Sequence, residues 1–204
     1  MRFALSKRLH VPVFYTDVDP VVSFPLWQYK KAKALDKSGL LLDAAGKMVF
    51  FQELPSGVYK PPFDLTGKTV LDIGATNGET AWYFKQLGAS KVICIECDSE
   101  RLKCLTVNAE RFGFEVYPEP VSVELLSKIK CDYVKCDIEG YEMVLIDFLD
   151  QGGKLPPTYL EVHTNWIRDQ FLEHDFEVAE NRGNMDGSGI GVYMMNNYAQ
   201  TLKK

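Results

Sequence analysis

Beyond about position 60 the chain alternates short apolar runs with stretches whose apolar residues recur every three or four positions. The runs "TVLDI" (69–73), "KVICIE" (91–96), "FEVY" (114–117), "DYVKCD" (132–137) and "YLEVH" (159–163) are short and rich in β-branched and aromatic residues, so they predict strands. Helical periodicity covers 78–87, 99–112, 123–129 and 139–149, and breaks such as Gly88, Gly113 and "QGGK" close several of these segments. Regular alternation of the two kinds predicts an α/β fold, a parallel sheet with helices on both faces.

The two ends of the chain follow different patterns. After a helix near 166–174, "FEVAENR" and "GIGVYMMNN" flank the polar loop "GNMDGS", which predicts an antiparallel hairpin and brings the sheet to seven strands. The first sixty residues read as an irregular strand, a helix at 26–37, and a hairpin in which "GLLLD" and "KMVFFQEL" flank "AAGK". Three prolines and two glycines in "PSGVYKPPFDLTGK" then mark a boundary. We therefore expect a small α+β extension over residues 1–60, acting as a substrate lid, and the main domain over 61–204. The aromatics Phe14, Tyr15, Trp27, Tyr29, Phe50, Phe51 and Tyr59 would shape the pocket beneath that lid.

Composition narrows the class. A length of 204 residues with 46% hydrophobic positions suits one buried core, and the longest apolar runs fall far below the roughly 20 residues of a membrane span. Lys7, Arg8 and His10 interrupt the apolar content at the N-terminus, so it lacks the continuous core of a signal peptide, and a cytoplasmic location is expected. Five cysteines lie between positions 94 and 136, an odd and clustered set unlike a secreted disulfide framework. Cys94 and Cys97 have C-x-x-C spacing but no second pair or nearby His to complete a zinc site, so free thiols are expected. The net charge of −5 divides into +4 over residues 1–38 and −9 over the rest, which disfavours general polyanion binding and allows a local anionic partner near the N-terminus.

The stretch "TVLDIGATNGET" carries the chemistry. A nucleoside cofactor at the carboxyl ends of such strands needs a close-approach turn after the first strand and an acidic residue for its ribose hydroxyls. Gly74 and Gly78 supply the turn, through Ala75, Thr76 and Asn77, and Glu96 stands at the end of the second strand, beside Cys97. The turn has neither the third glycine of a dinucleotide loop nor the Gly-Lys-Ser/Thr of a phosphate-binding loop. Asp72 precedes it, where a carboxylate repels a pyrophosphate and attracts an ammonium. These features favour S-adenosylmethionine (SAM), which has an ammonium and a sulfonium and no phosphate. The hairpin ending agrees, because dinucleotide folds continue with parallel crossovers whereas SAM-dependent methyltransferases end on an antiparallel strand.

Two more polar groups fall at carboxyl strand ends: Asp137 and Glu139 in "VKCDIEGYE", and Glu161 and His163 in "YLEVHT". Proton abstraction from a substrate hydroxyl, divalent-cation binding, and capping of a helix beginning at Gly140 all suit these residue types. Of these, Asp137, His163 and Glu139 are the expected catalytic groups, and no metal is expected.

The segments "VLDIGATNGET", "VICIECDSERLKCLTVNAERFG", "DYVKCDIEGYEMVLIDFL" and "PTYLEVHT", in that order, resemble the FkbM family of SAM-dependent methyltransferases. The resemblance covers about 69–164 and is most specific in the D-x-E-G-x-E of Asp137 to Glu142 followed by Glu161 and His163. It implies a Rossmann-like, seven-stranded class I fold and, usually, O-methylation of a small molecule or sugar. It also implies that Asp72, Gly74 and Gly78 line the methionine part of SAM, that Glu96 holds the ribose, and that Asp137 sits beside the methyl group. Where the family's loop has Asn after Gly-Ala, this chain has Thr76 followed by Asn77. The second segment is also similar to some tRNA-modifying enzymes, so an RNA acceptor is the alternative. A non-catalytic nucleoside-binding module or an NAD-dependent oxidoreductase is the alternative from another class.

Overall fold

A computed structural model describes residues 2–5, 12–15, 23–25, 29–57, 59–181 and 192–196. Short strands β1 (Arg2–Leu5), β2 (Pro12–Tyr15) and β3 (Ser23–Pro25) pair antiparallel in that order, followed by helix α1 (Tyr29–Ser38). The main sheet contains β4 (Thr69–Ile73), β5 (Lys91–Ile95), β6 (Glu115–Tyr117), β7 (Tyr133–Cys136), β8 (Thr158–Val162), β9 (Phe176–Asn181) and β10 (Val192–Asn196). Its spatial order is β6-β5-β4-β7-β8-β10-β9. The five strands from β6 to β8 run parallel, and β10 lies antiparallel between β8 and β9. The expected α/β sheet of seven strands is present; the loop expected to join β9 and β10 lies outside the described residues.

The pattern of the strands explains the layers. Buried on both faces, they read as continuous apolar runs. Leu71, Ile73, Ile93, Val134, Leu160 and Met194 pack against Leu126 of α6 (Val123–Lys128), Leu145 of α7 (Met143–Asp150) and Phe171 of α8 (Asn165–Glu173). On the opposite face Val70, Cys94 and Tyr133 meet Phe84 of α4 (Glu79–Gln86) and Leu105 of α5 (Ser99–Phe112). Caps fix the helix starts: Asp98 accepts from Glu100 N and Arg101 N, Ser122 from Leu125 N, and Thr164 from Ile167 N.

The expected hairpin over 39–54 is not formed. Instead, residues 44–56 are helical: α2 (Ala44–Met48), a π-helical turn (Val49–Glu53) and α3 (Leu54–Ser56). Asp43 decides this, because its side chain accepts from Gly46 N at 2.9 Å and caps α2, a signal that the apolar run "MVFF" obscures. The segment packs on the main fold through Leu35, Leu40 and Leu42, which are fully buried with Phe50, Phe51, Trp82 and Phe112 around them. Asn108 of α5 ties it down further, with Nδ2 donating to Leu41 O at 2.8 Å and Oδ1 accepting from Leu41 N at 2.9 Å.

Chain order reverses beside β4: the next two strands lie on one side of it and β7 on the other. Ligands of open α/β sheets bind in the crevice that such a reversal opens. The approach there is close. A Cβ on Gly74, which has φ +73°, would stand 1.8 Å from the carbonyl oxygen of Asp137. Gly74→Ala should therefore cost at least about 3 kcal/mol, combining a left-handed non-glycine residue with a backbone clash, and calorimetric melting should show a fall of roughly 6 °C or more.

A second consequence concerns Glu79, which is fully buried at the start of α4 beneath α2. Burial pushes its carboxyl up to about 8, against the pull of backbone amides and Lys135. The folded chain keeps a proton that the unfolded chain releases above about 4.5, so the stability this group lends at low pH is lost as pH rises from about 4.5 to about 8. Glu79→Gln should remove that decline. Melting temperatures taken between pH 5 and 8 should rise for the variant relative to the wild type.

Candidate active site

Register builds the centre of the site. Parallel pairing of β4 with β7 sets Asp72 directly beside Lys135, and both are buried. Lys135 Nζ lies 3.3 Å from Asp72 Oδ1, donates to Gly74 O at 2.9 Å, and stands 5.3 Å from the centre of the Tyr59 ring. Thr80 donates to the other Asp72 oxygen. Burial opposes charge on both partners. For Lys135, however, the fields of Asp72 and Asp137 outweigh it and raise the ammonium above its ordinary value, so we read the two as an ion pair. Asp72 was expected to attract the ammonium of a ligand, but its charge is met by an ammonium of the chain itself. It is linked to the turn through Lys135 and the Gly74 carbonyl.

The turn after β4 is held from two sides. Gly74 N and Ala75 N both donate to Ile95 O, at 2.9 and 3.2 Å. Thr76, with φ +49°, donates its N–H to Glu96 Oε2 at 2.9 Å. Glu96 Oε1 accepts from Cys97 N and Asp98 N at 2.9 and 2.8 Å. Three amides thus occupy a carboxylate with about four lone-pair sites and leave one for a further donor. Asn77 is wholly buried and faces away from the crevice: its Oδ1 accepts from Asp43 N at 2.7 Å and its carbonyl from Asn108 Nδ2 at 2.7 Å. Gly46 of α2 packs on it so tightly that a Cβ would approach Asn77 Oδ1 to 2.4 Å. Ala75 and Gly78 are also buried, so within the 74–78 turn Gly74 and Thr76 are the partly exposed positions. Cys97 is exposed and Cys94 buried, and both are free thiols, so the C-x-x-C spacing does not bring a metal pair together.

Asp137 follows β7 and lies beside Gly74, its N–H bonded to Ile73 O at 3.0 Å. Its Oδ2 accepts from Tyr59 OH at 3.2 Å, and the same hydroxyl lies 2.9 Å from Glu53 Oε2. Tyr59 thereby links Glu53 and the segment just before β4 to the site. Asp137 and Glu139 do not cap a helix at Gly140: α7 begins at Met143, and Glu139 has φ +55° with a largely exposed side chain. Glu142, fully buried, accepts from Gly140 N at 3.0 Å through Oε1 and closes this loop.

His163, just past β8, stands among four carboxylates. Nδ1 is 3.1 Å from Glu142 Oε1, while Nε2 is 3.5 Å from Glu139 Oε2 and 3.8 Å from both Asp137 Oδ1 and Glu161 Oε1. Burial works against charge on the ring, but the Glu142 hydrogen bond and the charges of Glu142, Asp137 and Glu161 prevail and raise it to about 9. At neutral pH the imidazole is therefore protonated, which suits charge balance and not the abstraction of a proton. The strand ends thus bring together Gly74, Thr76, Glu96, Asp137, Glu139 and His163, while Asp72, Ala75, Asn77 and Gly78 support them from beneath. Lys135 and Glu142 were missed as members of the site, and Tyr59 was expected only as a pocket-shaping aromatic, not as a hydrogen-bond partner of Asp137. A lysine inside an apolar strand run, "YVKC", was the legible signal for the first.

No family model matches the chain. Among curated proteins, protein arginine N-methyltransferase 6 of Danio rerio is 26% identical over 132 residues, 57% of this chain and 37% of the relative. Ribosomal protein L11 methyltransferase of Escherichia coli is 46% identical over 50 residues, 24% of this chain and 17% of the relative. The chain thus spans well under half the length of these relatives. Among solved structures, precorrin-6y C5,15-methyltransferase of Geobacter metallireducens superposes with a TM-score of 0.53 at 17% identity, covering 71% of this chain and 85% of that one. Fibrillarin of Aeropyrum pernix, solved with natively bound SAM, gives 0.51 at 12% identity and covers 70% of each chain. The sheet order, with its inverted β10, is accordingly the Rossmann-like fold of the class I SAM-dependent methyltransferases.

Proposed function

We propose that the chain binds SAM across the carboxyl ends of β4, β5 and β7 and transfers its methyl group to a hydroxyl of a small molecule or sugar, in the cytoplasm, as a member of the FkbM family. The observation that carries this reading is the convergence at one crevice of a turn open at Gly74 and Thr76, a ribose-accepting carboxylate at Glu96, and an acidic cluster at Asp137. The methyltransferase relatives and fold neighbours support SAM as the ligand.

Each residue then has a task. Gly74 and Thr76 let the methionine part lie against bare backbone, and Glu96 offers its remaining lone pair to a ribose hydroxyl. Asp72 and Lys135 fix the direction of the Gly74 carbonyl. Asp137 receives the acceptor's proton as its oxygen attacks the methyl carbon, and Glu139 passes it to solvent. The new C–O bond forms as the C–S bond breaks, and that electron pair returns to sulfur as S-adenosylhomocysteine leaves. Positioning supplies most of the rate in such an in-line transfer. Tyr141, on the loop after β7, and Trp166, in the first turn of α8, are both exposed, and they supply flat apolar surface for a sugar or ring.

Calorimetry with SAM, S-adenosylhomocysteine and NAD tests the ligand: binding of the first two is expected, and tight NAD binding with no response to SAM would overturn the reading. Glu96→Gln should weaken SAM about ten- to a hundredfold through loss of a charge-assisted hydrogen bond. Asp137→Ala should reduce turnover about 10²- to 10⁴-fold while SAM binds within a few-fold of wild type, and unchanged turnover would remove Asp137 from the chemistry. A transfer to RNA whose rate falls steeply with salt would replace the small-molecule acceptor.

A further inference from the structure

The cluster around His163 has a geometry that proton abstraction does not require. His163 presents its two ring nitrogens to different surroundings. Nδ1 meets the buried Glu142 carboxylate at 3.1 Å, which fixes the ring's orientation and directs Nε2 outward. Around Nε2 stand Asp137 Oδ1 at 3.8 Å, Glu161 Oε1 at 3.8 Å and Glu139 Oε2 at 3.5 Å. A histidine whose far nitrogen is held by a carboxylate while the near one faces oxygen ligands is the usual arrangement of a metal-bound imidazole. One ligand atom each from Asp137, Glu161 and His163 lies within 4.8 Å of the others, close enough for a single ion to touch all three after a small contraction.

One further observation points to an occupant. Asp137 Oδ1, on the Nε2 side of the ring, is buried without a hydrogen-bond partner. A buried carboxylate oxygen left in this state carries a large desolvation cost. Four carboxylates surround one imidazole, with the Lys135 ammonium also acting on Asp137, and the negative charge left over suits a cation.

We propose that Asp137, Glu161 and His163 form a divalent-cation site, with His163 Nε2 as the nitrogen ligand once the cation has displaced its proton to solvent, a carboxylate oxygen from each acid, and the remaining positions open to water and to an acceptor oxygen. One imidazole with hard oxygen donors suits an ion of the Mn²⁺ kind. The ligands come from the ends of two neighbouring strands, β7 and β8, so the sheet itself sets their spacing. The site stands on this geometry alone, whereas its use rests on the transferase reading. An acceptor hydroxyl bound to the cation would lose its proton more easily, with Glu139 passing that proton to solvent and the oxygen held in line with the methyl group.

The test is Mn²⁺ binding to the full chain in the absence of SAM, read by calorimetry and by loss of the free-ion signal in electron paramagnetic resonance. About one Mn²⁺ per chain is expected, with at least tenfold weaker binding in His163→Ala and in Glu161→Gln, both checked for unchanged circular dichroism. Should His163→Ala fail to fold, Glu161→Gln decides, since it is nearly isosteric and changes only a ligand's charge. No binding at millimolar Mn²⁺, or equal binding in wild type and the folded variants, overturns the site. SAM binding is read separately on the same protein. Mn²⁺ without SAM upholds the site and removes the transferase reading, and SAM without Mn²⁺ does the reverse.

Discussion

The buried pair of Lys135 and Asp72 is the interaction on which the rest of the site depends. Two charges withdrawn from water are costly, and the cost is met here by sheet register: neighbouring strands place the two groups side by side on one face, with Thr80 and the Gly74 carbonyl taking up remaining hydrogen-bonding capacity. Because Lys135 holds the Gly74 carbonyl, the pair fixes the backbone where a ligand comes closest. Because Gly74 has no side chain, Asp137 can lie against it. The turn after one strand and the acid after the next are therefore a single construction.

A second constraint enters from outside the α/β fold. Asn77 and Asn108 bind the turn and α5 to Asp43 and Leu41, and Tyr59 reaches Asp137 from the same N-terminal stretch. Behind the crevice the 41–43 stretch is held through its backbone groups, which depend more on position than on side-chain identity, while at the crevice the Tyr59 hydroxyl meets the Asp137 carboxylate. That explains how a segment without its own repeated pattern comes to be part of the site.

The elements that sequence reveals best are those with a strong period. The 99–112 helix and the 69–73 strand appear at the positions expected, because Asp98 caps the one and burial on both faces marks the other. The region 39–54 was misread because its apolar residues fit both periods and only the Asp43 cap distinguishes them. Similarly, the motif order around Asp72, Glu96 and Asp137 identifies a nucleoside crevice, but which side chains face it depends on register. Asp72, Ala75 and Asn77 turn inward, while Lys135, hidden in a strand, turns out to be central. Long-range pairing decides these matters, and no local pattern encodes them.

The position of β10 has a consequence for the order of assembly. It sits between β8 and β9 although it follows both in the chain. Until Val192–Asn196 is made and inserted, β8 presents an unpaired edge next to the strand end that carries Glu161 and His163. During synthesis the half of the sheet that binds the nucleoside can close first, around β4 and β5. The acidic half stays open to solvent and to mispairing until β10 arrives.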